Sequence, residues 1–107
     1  MKVFKLSEMK GGWFVGNFTP TAFKSQDAEV CFKFHPKNDS WDMHYHKVST
    51  EINLLVRGKM RFQDTILEAG DIFVVTPWEV SNPEFLEDCE VVIVKVPSST
   101  SDKFVIT

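Results

Sequence analysis

Apolar and polar residues alternate along "AEVCFKF", with Val30, Phe32 and Phe34 on one side and Glu29, Cys31 and Lys33 on the other. "EINLLVRGKMRF" carries Ile52, Leu54 and Val56 on one side, breaks at Gly58, and resumes with Met60 and Phe62. A period of two belongs to an extended strand, whose successive side chains point to opposite faces. No segment sustains the helical period. "DIFVVT" and "EVVIVKV" are the most apolar runs, rich in β-branched residues and bounded by Gly, Pro or acidic turn residues, and are expected as central strands. Turn signals recur at "KGG", "HPKNDS", "RGK", "QDT", "EAGD", "NPE" and "LEDC". Short strands so closely spaced predict an all-β sandwich or barrel.

At 107 residues, 43% hydrophobic and 25% charged, the chain is expected to form one domain over residues 1–107. A core of that size needs no disulfide or structural metal to hold it, so any metal is expected to be functional. The net charge of -3 comes from mixed, scattered signs, without the basic stripe that a nucleic-acid binder needs. The lysine-interrupted start "MKVFKLSEMKGGWF" lacks the apolar run of a signal peptide, and no stretch approaches a membrane span. A soluble, cytoplasmic protein is expected. Cys31 and Cys89 each lie in a strand-like run and read as buried free thiols.

"WDMHYHKVSTE" places two histidines one residue apart and a glutamate five residues after the second. On a strand, residues two apart project from the same face about 6 to 7 Å from each other. His44 and His46 can therefore reach one cation, and Glu51 can join them from the next strand if "KVST" makes a turn. Two imidazoles and one carboxylate leave coordination positions open, as suits Fe(II), Mn(II), Zn or Ni chemistry. Two exposed imidazoles beside a solvated carboxylate would give the same local pattern.

The longer register adds to this. "HYHKVSTEINLLVRG" has the spacing H-x-H-x4-E-x6-G and resembles the first signature motif of the cupin superfamily at both His, the Glu and the Gly. The second cupin motif is matched only in part. "GDIFVVTPWEVSNP" keeps Gly70, Asp71 and Pro77, but Glu79 stands at the usual Gly and Asn82 at the usual third His. The resemblance implies a double-stranded β-helix, or jelly-roll barrel, with a divalent transition metal inside its wide mouth. It carries His44, His46 and Glu51 over as ligands. Asn82, Glu79 or a water is left as the fourth, and Glu79 is a candidate catalytic base where it is not a ligand.

Other residues have plainer readings. The three tryptophans and ten phenylalanines mostly fill a core. Tyr45 alternates away from the two histidines, and Trp78 is placed on the rim. His35, in "FHPKNDS", is expected to be exposed. Arg57 and Lys59 read as solvated, whereas Lys95, interrupting "EVVIVKV", faces either solvent or a polar cavity. "PSSTSD" reads as a linker and "KFVIT" as a docked tail, and with "KVFKL" near the start these apolar ends suggest a homodimer. The functional expectation is a metal-dependent isomerase, lyase or dioxygenase acting on a small oxygen-bearing molecule such as a sugar or carboxylate. The alternative is a non-catalytic module that binds or senses a metal or small ligand.

Overall fold

In the computed structural model, which describes residues Met1 to Thr107, the chain forms eleven short strands. They are β1 (Trp13–Gly16), β2 (Phe23–Lys24), β3 (Glu29–His35), β4 (His44–Tyr45), β5 (Thr50–Arg57), β6 (Lys59–Phe62), β7 (Thr65–Glu68), β8 (Ile72–Val75), β9 (Glu84–Phe85), β10 (Cys89–Val96) and β11 (Phe104–Val105). A six-stranded sheet in the order β2-β1-β3-β10-β5-β8 faces a three-stranded sheet, β7-β6-β9, and a two-stranded one, β11-β4. "EVVIVKV" is central as expected, between β3 and β5, but "DIFVVT" forms the edge strand β8. No helix is long and apolar enough to cross a membrane.

The turns follow from local chemistry. Gly58, at φ 101°, is the corner where the chain leaves β5 for the opposite sheet at β6. A Cβ there would stand 2.3 Å from the Asp88 carbonyl oxygen and 2.8 Å from Cys89 Sγ, so the corner admits only glycine. Gln63 and Asp64, both at positive φ, make the two-residue hairpin turn between β6 and β7 that suits the twist of paired strands.

Cross-strand register puts Glu29, Lys95, Glu51 and Val75 in one row across the inner face of the large sheet. Trp13, Cys31, Ile93, Asn53 and Phe73 form the next inner row. The alternate rows, Phe32-Val92-Leu54-Ile72 and Val30-Val94-Ile52-Val74, point outward. The more polar side of these strands is thus the inner one. An apolar core of Leu55, Met60, Leu67, Phe85, Cys89 and Val91 fills one end of the barrel, and the polar inner residues line a cavity of about 520 Å³ that continues from it.

Both cysteines are buried and unpaired, and burial pushes the Cys31 thiol up to about 12. His35 is buried, contrary to the exposed position expected from its turn-rich neighbourhood. It ends β3 on the inner face, stacks on Phe85 with ring centroids 4.1 Å apart, and holds Asp39 through Nδ1 at 2.9 Å. The "KFVIT" tail docks on the chain's own sheet, where β11 pairs with β4. "KVFKL" forms no strand, and Val3 within it is 77% exposed.

Candidate metal centre

His44, His46 and Glu51 converge inside the cavity, with one ligand atom from each lying within 4.8 Å of the others. The two imidazoles are buried and stand nearly perpendicular, at 86°, with centroids 5.2 Å apart. β4 is not hydrogen-bonded to β5, so Glu51 does not come from a neighbouring strand of the same sheet. It projects across the interior from the large sheet.

Backbone carbonyls fix both ring tautomers. His44 Nδ1 donates to the Asp42 carbonyl at 2.9 Å, and His46 Nδ1 donates to the Asp102 carbonyl. In the neutral form each ring then carries its lone pair on Nε2, as in imidazoles that ligate metals. His46 Nε2 is buried and lacks an aligned hydrogen-bond partner, although Glu51 Oε2 is only 2.6 Å away. A ring nitrogen and a carboxylate oxygen this close in a buried space need a cation there, either the proton of an imidazolium–carboxylate pair or a metal ion that displaces it. Burial holds His44 below the usual imidazole range, helped by the Lys103 ammonium, which favours the neutral form a metal requires. Burial pushes the Glu51 carboxyl up, but His46, Lys95 and His44 together outweigh it and hold it below its usual value. The donor set, two nitrogens and one oxygen, fits a divalent transition ion with open positions.

Asp102 anchors this arrangement from the far end of the sequence. Besides its carbonyl bond to His46, its buried carboxylate accepts the backbone N–H groups of Lys47, Val48 and Ser49 at 2.8, 3.0 and 2.8 Å. The loop between His46 and Glu51 is thereby held to the tail. Nothing in "PSSTSD" signalled this role, because only the folded register brings Asp102 to that loop.

The departures in the second motif leave the site. Thr76, Pro77, Trp78 and Glu79 form a turn with Pro at its second position and Trp78 at φ 73° in the third, the type II geometry that glycine usually serves. Glu79 Oε2 accepts the N–H and hydroxyl of Thr76 at 2.7 and 2.8 Å. These bonds tie the half-buried carboxylate to its own turn, away from the cavity lining. Asn82 Oδ1 accepts the Gln63 N–H at 2.9 Å and also points away. Ser81 takes the inward place instead. It exchanges both backbone hydrogen bonds with His44, at 3.1 and 2.7 Å, is buried, and lines the cavity with Pro83. The register differs by one residue from the one the motif suggests, and in a strand one residue is enough to turn a side chain to the other face.

Lys95 faces the cavity, where Nζ lies 3.3 Å from Glu29 Oε2 and 3.4 Å from the Ser99 carbonyl oxygen. Tyr45 points away from the histidines and stacks between Trp78 and Phe104, at 5.5 and 5.4 Å.

No protein-family model matches the chain, and no curated protein matches it. Solved structures do. A conserved protein with a double-stranded β-helix domain from Klebsiella pneumoniae superposes with a TM-score of 0.72 at 17% identity, covering 97% of this chain and 90% of that one. A cupin-2 domain containing protein from Shewanella frigidimarina gives a TM-score of 0.55 at 20% identity, over 65% of this chain and 71% of that one. The DMSP lyase DddQ from Ruegeria pomeroyi gives 0.68 at 12% identity, over 87% of this chain and 49% of that one. These likenesses show the fold: a small cupin-type double-stranded β-helix.

Proposed function

We propose that residues 1–107 form one cupin domain that binds a divalent transition metal through His44, His46 and Glu51 and acts as an enzyme on a small oxygen-bearing metabolite. The observation that carries this reading is the convergence of His44, His46 and Glu51 within 4.8 Å, with Nδ1 of each ring already bonded to a backbone carbonyl. A bound divalent ion would supply Lewis-acid chemistry there or, if it is iron, oxygen chemistry. The chain's own residues do the rest. Asp42 and Asp102 hold the rings, and Ser81 and Asn53 line the cavity with the triad. With Asn82 turned away, the remaining coordination positions are open to substrate and water. That a structural neighbour is a lyase supports an enzyme over a passive binding module.

Metal analysis of untagged protein tests this. Close to one equivalent is expected in the parent and less than a tenth in His44→Ala, His46→Ala and Glu51→Gln. Full metal retention in His46→Ala would refute the site.

We also propose a homodimer, through the outward apolar rows of the large sheet rather than through the two ends. Four strands and about five residues of each cover roughly 300 Å² in projection, a contiguous apolar patch that would form the centre of a larger interface. Ile72 and Val74 there are 66% and 53% exposed. Sedimentation should give a dimer for the parent and a monomer for Ile72→Lys/Val74→Lys, and a monomeric parent ends the idea. Two buried, unpaired cysteines support a reducing, cytoplasmic setting.

A further inference from the structure

Beyond the triad, the cavity continues past Trp41. This ring is held by its Nε1 donating to Asp39 Oδ2 at 3.1 Å and by the edge of His35, with centroids 5.3 Å apart. Lys33 Nζ lies 5.0 Å and Lys103 Nζ 4.9 Å from the Trp41 centroid, so the two ammonium groups are at most about 10 Å from each other. Lys33 projects from the inner face of β3, and Lys103 follows the Asp102 that anchors His46. Neither lysine has a carboxylate partner within 4.0 Å.

The acids that line the cavity are all engaged elsewhere. Glu29 is paired with Lys95 and accepts the Ser99 N–H, the Asp102 carboxylate is turned onto the 47–49 loop, and Glu51 belongs to the triad. A chain of net charge -3 therefore has a cavity wall whose uncompensated charge is positive. Lys33 is half-buried and Lys103 exposed, and with the Asp39 carboxylate engaged by Trp41 and His35 an anion on the concave wall between them would relieve their partly screened repulsion.

We infer that the cavity takes a small organic acid, its carboxylate held between Lys33 and Lys103 beside Trp41 and a second oxygen directed to the triad. Only that second contact rests on the metal reading above. Lys33 is four residues along β3 from Glu29, which shares a row with Glu51. That is about 13 Å along the strand and about 10 Å across two strand spacings, roughly 16 Å in all, and less the reach of the lysine and glutamate stems it is a span for a chain of about five carbons.

Glutarate and its neutral counterpart of equal length, 1,5-pentanediol, serve as probes. Each is titrated into chelator-treated and metal-loaded protein while the indole N–H resonances are followed, and metal content is measured separately. Glutarate should bind metal-free protein and shift the Trp41 resonance, and pentanediol should not. Lys33→Gln/Lys103→Gln should raise the glutarate Kd at least tenfold with metal content unchanged, and added NaCl should weaken binding in the parent. Equal behaviour of the two probes, or an unchanged Kd in the double variant, overturns the inference even if metal is fully bound. Lysine-dependent glutarate binding in a protein that takes up no metal would uphold it and overturn the metal site alone.

Discussion

Asp102→Ala removes a buried carboxylate that accepts three backbone N–H groups. A hydrogen bond to a charged acceptor contributes about 1.5 to 3 kcal/mol, and its loss leaves a donor unpaired where water cannot reach it. Water entering the opened loop recovers part of this, so about 4 kcal/mol is expected, a large part of the roughly 5 to 15 kcal/mol that holds a domain folded. At a slope of about 1.5 kcal/mol per molar urea, the unfolding midpoint should fall by about 2.5 M. Asp102→Asn keeps one acceptor oxygen but sets an amide N–H against a donor, and roughly half that loss is expected. The pH dependence is a second check. Burial pushes the Asp102 carboxyl up, but the three loop N–H groups outweigh it and hold it below its ordinary value of 3.8. A depressed folded-state value stabilises the protein above the unfolded value, and that stability is lost as pH falls through the folded one. The parent should therefore lose stability below about pH 4 more steeply than Asp102→Asn. A midpoint for Asp102→Ala within 0.5 M of the parent, or parallel acid limbs for parent and Asp102→Asn, would refute the reasoning.

Three further outcomes follow from the geometry. Glu79→Gln and Asn82→Ala should leave metal content unchanged, and Glu79→Gln should cost about 1 kcal/mol in urea unfolding through its weakened turn; loss of metal in either would return that residue to the site. Gly58→Ala should cost at least about 3 kcal/mol, since the new Cβ combines a positive φ with a backbone clash, and a thermal midpoint near that of the parent would show that the corner can shift. Lys95→Met leaves Glu29 buried and unpaired and should cost about 3 to 5 kcal/mol, with Lys95→Met/Glu29→Gln recovering most of it. A double variant no more stable than Lys95→Met would show that the pair acts through something else.

Local pattern made the strands legible. β3, β5 and β10 lie where alternation and β-branched runs place them, because a strand's period is written in consecutive residues. Which side faces inward was not legible. A reader of hydropathy would bury Val30, Phe32 and Phe34, yet Cys31, Lys33 and His35 point inward, because this barrel encloses a polar cavity and leaves part of its apolar surface outside. The first motif located the three converging side chains, since its spacing spans one turn and two strands. The second did not show that Asn82 and Glu79 lie off the cavity lining, because the Pro77-Trp78 turn changes the register and no local signal marks Ser81 as the inward residue. Asp102 was legible only as the end of a linker and Lys103 only as the start of a docked tail, because their roles come from contacts with residues more than fifty positions earlier.

The barrel's division into an apolar end and a polar end bears on how such a chain can change over time. Leu55, Met60, Leu67, Phe85, Cys89 and Val91 form a packed cluster in which a lost methylene is felt at once. The lining beyond that cluster borders a cavity, where exchanging one polar side chain for another opens no new void. Met60, Phe85 and Val91 belong to both the cluster and the lining, so selection for a new ligand can rewrite the polar lining residues while the cluster keeps the fold intact. Structures that superpose at 0.72 with 17% identity are what such a separation would leave behind: one architecture, with its chemistry free to drift.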